Sequence, residues 1–292
     1  MRIALFDDWR LGVVDPGGQT VRDVTAAVRG RSGGDPFGAG WWVRMCHDFA
    51  DAGPHLIRAA AAATPVPLTS VRLRPPVLNP TKIVATASNY GEHVAEMRDA
   101  VLARVTGQVD AWLLDFDVFL KAPSSVIGPG TEVVLPRAAV DQGKEVHHES
   151  ELALVIGRGG AAIPEAEALD HVLGYLVGLD MTVRGTGDRS RRKSYDTFTP
   201  LGPWLTTADE IADPQALDIR LEVAGELRQA ANTGDMLVPI AGIIAYASSV
   251  MRLEPGDVIL TGAPPGVGEV HPGERIEASI TGLGTLRVGV RR

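Results

Sequence analysis

The chain has 292 residues, 45% of them hydrophobic and 22% charged, with a formal net charge of −8. That suffices for one large core with a small appendage. No Lys/Arg-rich block supplies the concentrated basic surface that a nucleic-acid partner requires. One cysteine, Cys46, excludes an internal disulfide and a cysteine metal cluster, which fits a reducing compartment.

The opening stretch MRIALFDDWRL is interrupted by Asp7 and Asp8 before a signal-peptide core can form. No run approaches the about 18 apolar residues of a membrane span. The expectation is a cytoplasmic protein without a membrane partner. Residues 2–6 and 11–14 read as short strands, and the Ala-containing stretches 21–29 and 41–63 as helices. Residues 73–80, with Pro75, Pro76 and Pro80, read as an extended connector. The pattern therefore predicts a small N-terminal α/β module over 1–73 and a separate body over 74–292. In that body, strand-like runs at 82–87, 132–135, 151–156, 175–179, 219–223, 257–260 and 274–280 alternate with Gly and Pro turns. Helical runs are fewer, at 90–103, 166–170 and 239–251. The mixture predicts an α+β fold with a strand-rich body and leaves the strand order open.

Residues 89–96 read Asn-Tyr-Gly-Glu-His-Val-Ala-Glu. On a helix His93 and Glu96 share a face. A carboxylate bonded to one ring nitrogen fixes the tautomer and leaves the other nitrogen as a base for water. An ordinary surface pair has the same spacing. Gly91 beside them, after a strand, suggests a segment able to move as a lid.

Residues 147–156 read His-His-Glu-Ser-Glu-Leu-Ala-Leu-Val-Ile. Strand alternation puts Glu149 and Glu151 on one face and Leu152, Leu154 and Ile156 on the other. Two adjacent carboxylates repel, and a hard cation with oxygen ligands relieves the repulsion. A bare Glu-x-Glu is more commonly an exposed strand edge. The run Gly-Tyr-Leu-Val-Gly-Leu-Asp at 174–180 ends on a third acid, Asp180, which could also be a cap or turn residue. Three carboxylates with one divalent cation leave about one negative charge, so a carboxylate substrate needs cations nearby. Lys121, Arg184 and Lys193 are the candidates; Arg189, Arg191 and Arg192 read as solvated surface cations. The segment Thr261-Gly262-Ala263-Pro264-Pro265-Gly266-Val267-Gly268 allows a tight loop whose amides can approach a ligand. It lacks the Gly-Lys-Ser/Thr ending of a phosphate-binding loop.

These segments, in this order across residues 80–268, resemble the fumarylacetoacetate hydrolase family. The resemblance is to its acylpyruvate hydrolase and 2-hydroxyhepta-2,4-diene-1,7-dioate isomerase branch. It is carried by Asn89-Tyr90 with His93 and Glu96, residues 119–123, residues 146–152, 178–180 with Arg184, 193–198 with Leu201-Gly202-Pro203-Trp204, and 256–262. It implies a strand-rich mixed β-roll catalytic domain, usually a homodimer, behind a small N-terminal module. It also implies Mg²⁺, or Mn²⁺ or Ca²⁺, on Glu149, Glu151 and Asp180. His93 and Glu96 would activate water, and Lys193 would support the enolate. Arg184, Lys121, Tyr90, Thr261 and Gly262 would meet a small 2-oxo acid. The implied reaction is C–C hydrolysis of a 2,4-dioxo acid, releasing pyruvate enolate. Isomerisation of a 2-hydroxy-dienoate, oxaloacetate decarboxylation and a catalytically lapsed scaffold are the alternatives. The chain departs from the family pattern at Gly187, where many members carry Gln, and at Ala263, where relatives often carry Thr. The 180–193 stretch is also short, and the 97–118 segment is expanded or altered.

Overall fold

The computed structural model describes residues 1–28, 38–101 and 114–292, with the backbone alone at 100 and 101. The chain opens with β1 (Arg2–Phe6), β2 (Arg10–Val14) and β3 (Thr20–Asp23), followed by α1 (Gly40–His47), α2 (Phe49–Ala62) and β4 (Pro65–Pro67). After the proline-rich connector come β5 (Ile83–Ala87), α3 (Gly91–Glu96) with a π turn over Met97–Val101, β6 (Asp117–Lys121), β7 (Val126–Ile127), β8 (Glu132–Val134), α4 (Arg137–Val140) and β9 (Val146–His148). The middle of the chain forms β10 (Ser150–Ile156), β11 (Val172–Leu179), β12 (Thr182–Val183), α5 (Arg189–Lys193) and β13 (Thr199–Thr207). The last third forms β14 (Asp218–Val223), β15 (Glu226–Asn232), α6 (Ile240–Val250), β16 (Val258–Leu260), β17 (Gly268–Glu269), β18 (Arg275–Ile280) and β19 (Gly284–Arg291).

Among the described residues the strands form three sheets. An 11-stranded sheet runs β4-β3-β2-β1-β13-β11-β10-β16-β5-β6, with β7 beside β13. A three-stranded sheet runs β12-β9-β17, and a five-stranded sheet runs β15-β14-β18-β19-β8. The fold is the strand-rich α+β arrangement that the turn-punctuated pattern predicts. β10 is its centre, and every residue of it is buried. Its Leu152, Leu154 and Ile156 pack with Ile219, Leu221 and Ile276 of the five-stranded sheet, in the core that also takes in α6. Its Ala153 and Val155 face the other way, into a core with Trp41, Trp42 and Leu56 of the N-terminal helices. Each buried Leu, Ile or Val contributes roughly 1.5–3 kcal/mol by leaving water. The N-terminal strands extend the main sheet through the β1–β13 pairing, Arg2 opposite Thr206.

Local pattern and structure part in three places. Residues 21–29 do not form the predicted helix: Val21 sits in β3, opposite Val14 and Val66, and a 3₁₀ turn over Thr25–Ala27 follows. β-branched Val21 gains more from sheet burial than from a helical turn; residue 29 lies outside the described residues. The single helix read at 41–63 is broken at Asp48, where φ −98° and ψ 29° separate α1 from α2. The helix read at 90–103 is α3 plus a π turn; its end, and most of the 97–118 segment, lie outside the described residues.

Cys46 lies on α1 at 1% exposure. Burial pushes its thiol well above the ordinary 9.0. An unfolded thiol ionises above that pH while the folded one stays neutral. The stability contributed by the neutral thiol is therefore present below pH 9.0 and is eroded as pH rises through that value. A disulfide reagent at pH 8 is expected to label Cys46 only at the rate of local or global opening. Fast stoichiometric labelling of the native protein contradicts this packing.

Candidate functional site

Glu149 falls at the break between β9 and β10, Glu151 on the second residue of β10, and Asp180 directly after β11. The antiparallel register sets Ser150 opposite Leu179 and Glu151 opposite Gly178. The Asp180 amide donates to the Glu149 carbonyl at 2.9 Å, fastening the two acids' backbones together. Carboxylate oxygens of all three lie within 4.8 Å of one another. The side chains are 3%, 1% and 0% exposed, which rules out an exposed strand edge.

Buried anions at this spacing require compensation, and three cations supply it. The Arg184 guanidinium donates to Glu149 Oε1 at 2.7 Å. The Lys193 ammonium bridges Glu149 Oε2 at 2.5 Å and Asp180 Oδ2 at 2.6 Å. Lys121 pairs with Asp180 Oδ1 and donates to the Phe198 carbonyl at 3.0 Å. Burial pushes the Glu149 carboxyl up, but Lys193 and Arg184 outweigh it and hold the group well below the usual carboxylate range. Glu151 moves the other way: burial, then the Asp180 charge, push it well above that range. Lys121 is shifted down by burial, with Asp180 opposing. The acids and their three contacting cations cancel in formal charge, so the local balance is more positive than the acids alone imply.

His93 lies across the same cavity. Its Nδ1 is 3.2 Å from Glu96 Oε2. A carboxylate only accepts, so Nδ1 carries the proton and Nε2 keeps the lone pair. Glu96 is held by the Gly266 amide at 3.1 and 3.2 Å. The Gly262 amide donates to Glu151 Oε2 at 2.7 Å. The glycine-rich loop thus aims its amides at two carboxylates of the protein. Gly262 has φ +97°, and a Cβ there would stand 2.8 Å from Asn89 Cβ and 2.9 Å from Thr86 Oγ1, so both backbone and packing demand glycine. Gln229 ties the site to the second sheet: its Oε1 accepts from the Ser150 amide at 2.9 Å, and its Nε2 donates to the Pro264 carbonyl at 2.8 Å.

Residues 82–291 match the fumarylacetoacetate (FAA) hydrolase C-terminal domain. The maleylpyruvate hydrolase of Aquipseudomonas alcaligenes is 40% identical over 293 residues, covering 100% of this chain and 99% of that protein. The chain belongs to the fumarylacetoacetate hydrolase family. The crystal structure of the maleylpyruvate hydrolase from Sphingobium sp. SYK-6, in complex with manganese(II) ion and pyruvate, is 41% identical with a TM-score of 0.86. It covers 100% of this chain and 99% of that one. The 2-hydroxyhepta-2,4-diene-1,7-dioate isomerase structure from Mycobacterium marinum is 31% identical, with a TM-score of 0.72, over 100% of this chain and 98% of that one.

In this family member the cavity is lined by His93, Glu149, Glu151, Arg184 and Lys193, with Ala263, Met97 and Phe119 on its apolar side. Other residues singled out in the sequence stand behind it. Tyr90 is buried in the main core. Its hydroxyl has no hydrogen-bond partner among the described residues. Burial and the Glu151 charge push that phenol up. Thr261 Oγ1 donates to the Leu152 carbonyl at 2.9 Å, and Lys121 is 1% exposed. Arg189 and Arg192, read from the sequence as surface cations, also line the cavity. Only their position on the short helix α5, beside Lys193, could have signalled this. Lys121→Met leaves Asp180 with one of its two ammonium partners removed, and is expected to cost about 3–5 kcal/mol in urea unfolding. A loss under 1 kcal/mol would show that the pair carries no net electrostatic weight.

Proposed function

We propose that this family member is a metal-dependent hydrolase that cleaves a carbon–carbon bond in an acylpyruvate-type 2,4-dioxo acid. One observation carries the reading: the His93–Glu96 dyad faces a buried triad of carboxylates across a single cavity. Hard oxygen donors within 4.8 Å of one another suit Mg²⁺, with Mn²⁺ or Ca²⁺ as alternatives. The Lys193 ammonium between Glu149 and Asp180 marks the same spot as one that attracts positive charge. Manganese and pyruvate in the Sphingobium enzyme support both the ion and the 2-oxo-acid end.

Glu149, Glu151 and Asp180 would hold the ion, which supplies Lewis acidity to the oxo-acid end of the substrate. Glu96 holds the His93 ring so that Nε2 takes a proton from water, and the hydroxide attacks the distal carbonyl. Lys193 and Arg184, both at the cavity wall, place positive charge beside the pyruvate enolate that leaves. Lys121, Thr261, Gly262 and Tyr90 support this frame from the protein side. Isomerisation or decarboxylation needs no base aimed at water, so the dyad favours hydrolysis. The proposal extends to a cytoplasmic homodimer whose small N-terminal module over 1–73 continues the main sheet through β1.

With a panel of 2,4-dioxo acids, His93→Ala is expected to lose about 100-fold or more in turnover. It should keep the rise in Tm that Mg²⁺ or Mn²⁺ gives the wild type. Wild-type turnover in His93→Ala removes the dyad from the reaction. Chelation should abolish wild-type activity, and added Mg²⁺ or Mn²⁺ should restore it. Products limited to CO₂ release or a proton shift overturn the hydrolase reading.

A further inference from the structure

The cavity beside the acids measures about 60 Å³ among the described residues. A pocket that encloses a whole ligand typically has about 300–1,000 Å³. The buried part therefore takes the small oxo-acid end of a substrate, and the remainder extends to the rim. Polarity at the rim decides which acyl groups are accepted.

Two cations stand there, half-buried where Lys193 and Arg184 are buried. Arg189 is surrounded by the charges of Asp117, Asp115 and Asp188. Arg192 differs. Its Nε donates to the Gly187 carbonyl at 2.7 Å and its Nη1 to the Val183 carbonyl at 3.1 Å. Both acceptors are neutral, and no carboxylate of a described residue forms an ion pair with Arg192. Its stem lies over Gly185 and Gly187, where an added Cβ would sit 3.9 Å from Arg192 Cδ. The side chain is thus seated and oriented by main chain, with no carboxylate of a described residue in direct contact with its guanidinium. Burial, then the neighbouring Arg184 charge, lower its pKa, with the more distant charges of Glu149 and Asp180 opposing. Arg184 and Lys193 line the same cavity, but each is already engaged by Glu149.

We infer that Arg192 binds a second, distal carboxylate of the substrate, making the enzyme selective for 2,4-dioxo diacids over acylpyruvates with an uncharged acyl end. This rests on the hydrolase reading for the reaction itself, but the carboxylate seat is testable without turnover. A guanidinium fixed through Nε and one Nη1 hydrogen still presents Nη2 donors to a carboxylate, a strong charge-assisted contact. A divalent ion makes the site more positive by two charges, which favours a dianion over a monoanion.

The test is calorimetric titration of the Mg²⁺-loaded protein with 2-oxoadipate and with 2-oxohexanoate, which share a chain length and differ in the distal carboxylate. Neither carries the 4-oxo group needed for C–C hydrolysis. The wild type should bind the diacid about 10-fold more tightly or better. Arg192→Met should erase the difference while leaving the affinity for 2-oxohexanoate within about 3-fold. Arg191→Met, an exposed neighbour on the same helix, should keep the preference. Arg192→Lys, with a charge but no planar fork, should keep part of it and serves if Arg192→Met fails to fold. An unchanged diacid preference in Arg192→Met, or no preference in the wild type, overturns the inference. An intact Arg192-dependent preference without turnover of any 2,4-dioxo acid overturns the hydrolase reading instead.

Discussion

Three carboxylates cannot share a dry site in ionised form without cations against them. Two like charges about 4 Å apart repel by about 4 kcal/mol even at an effective dielectric of 20. Here Glu149, Glu151 and Asp180 have oxygens within 4.8 Å of one another and almost no contact with solvent. The rest of the site follows from how the chain meets that demand. Lys121 comes from the edge strand β6, Arg184 from the turn after β12, and Lys193 from α5, so three separated segments converge on one charge cluster. The divergent behaviour of Glu149 and Glu151 reflects the same geometry: two cations touch Glu149, while the charged contact of Glu151 is mainly with another acid.

The glycine-rich loop after β16 links this cluster to the dyad. Gly262 holds Glu151 and Gly266 holds Glu96, four residues apart on one loop. The orientation of the His93–Glu96 pair is therefore mechanically tied to that of an acid in the triad. Gln229 adds a second tie, joining the loop at Pro264 to the start of β10 at Ser150. At Glu151 and Glu96 the holding is done by backbone amides, which cannot change charge. This pre-organisation lets a small site keep a fixed geometry while its substrate changes charge distribution.

The fold supplies the rigidity. β10 is buried on both faces, by α6 and the five-stranded sheet on one side and by the N-terminal helices on the other. A strand held this way cannot slip in register without exposing one of two cores. Glu151 at its start and Asp180 at the end of its partner β11 thus inherit fixed positions. The N-terminal segment contributes to the second core and continues the main sheet through β1.

Local sequence was enough for the strand-rich α+β class, the family, and the three acids and the His–Glu pair that meet at the cavity. Glu149, Glu151 and Asp180 lie at strand ends, and His93 and Glu96 are one helical step apart. Both signals are local, set by side-chain periods of about 2 and 3.6 residues. Tertiary structure alone decided which cation meets which acid, that the loop amides serve protein carboxylates, and that Arg192 faces the cavity while Arg191 does not. It also decided that 21–29 joins a sheet and that Arg184 engages Glu149. These outcomes depend on contacts between segments tens of residues apart, such as Lys121 with Asp180 at a separation of 59. Burial, sheet pairing and charge compensation between distant segments set their energies, and no local spacing encodes them.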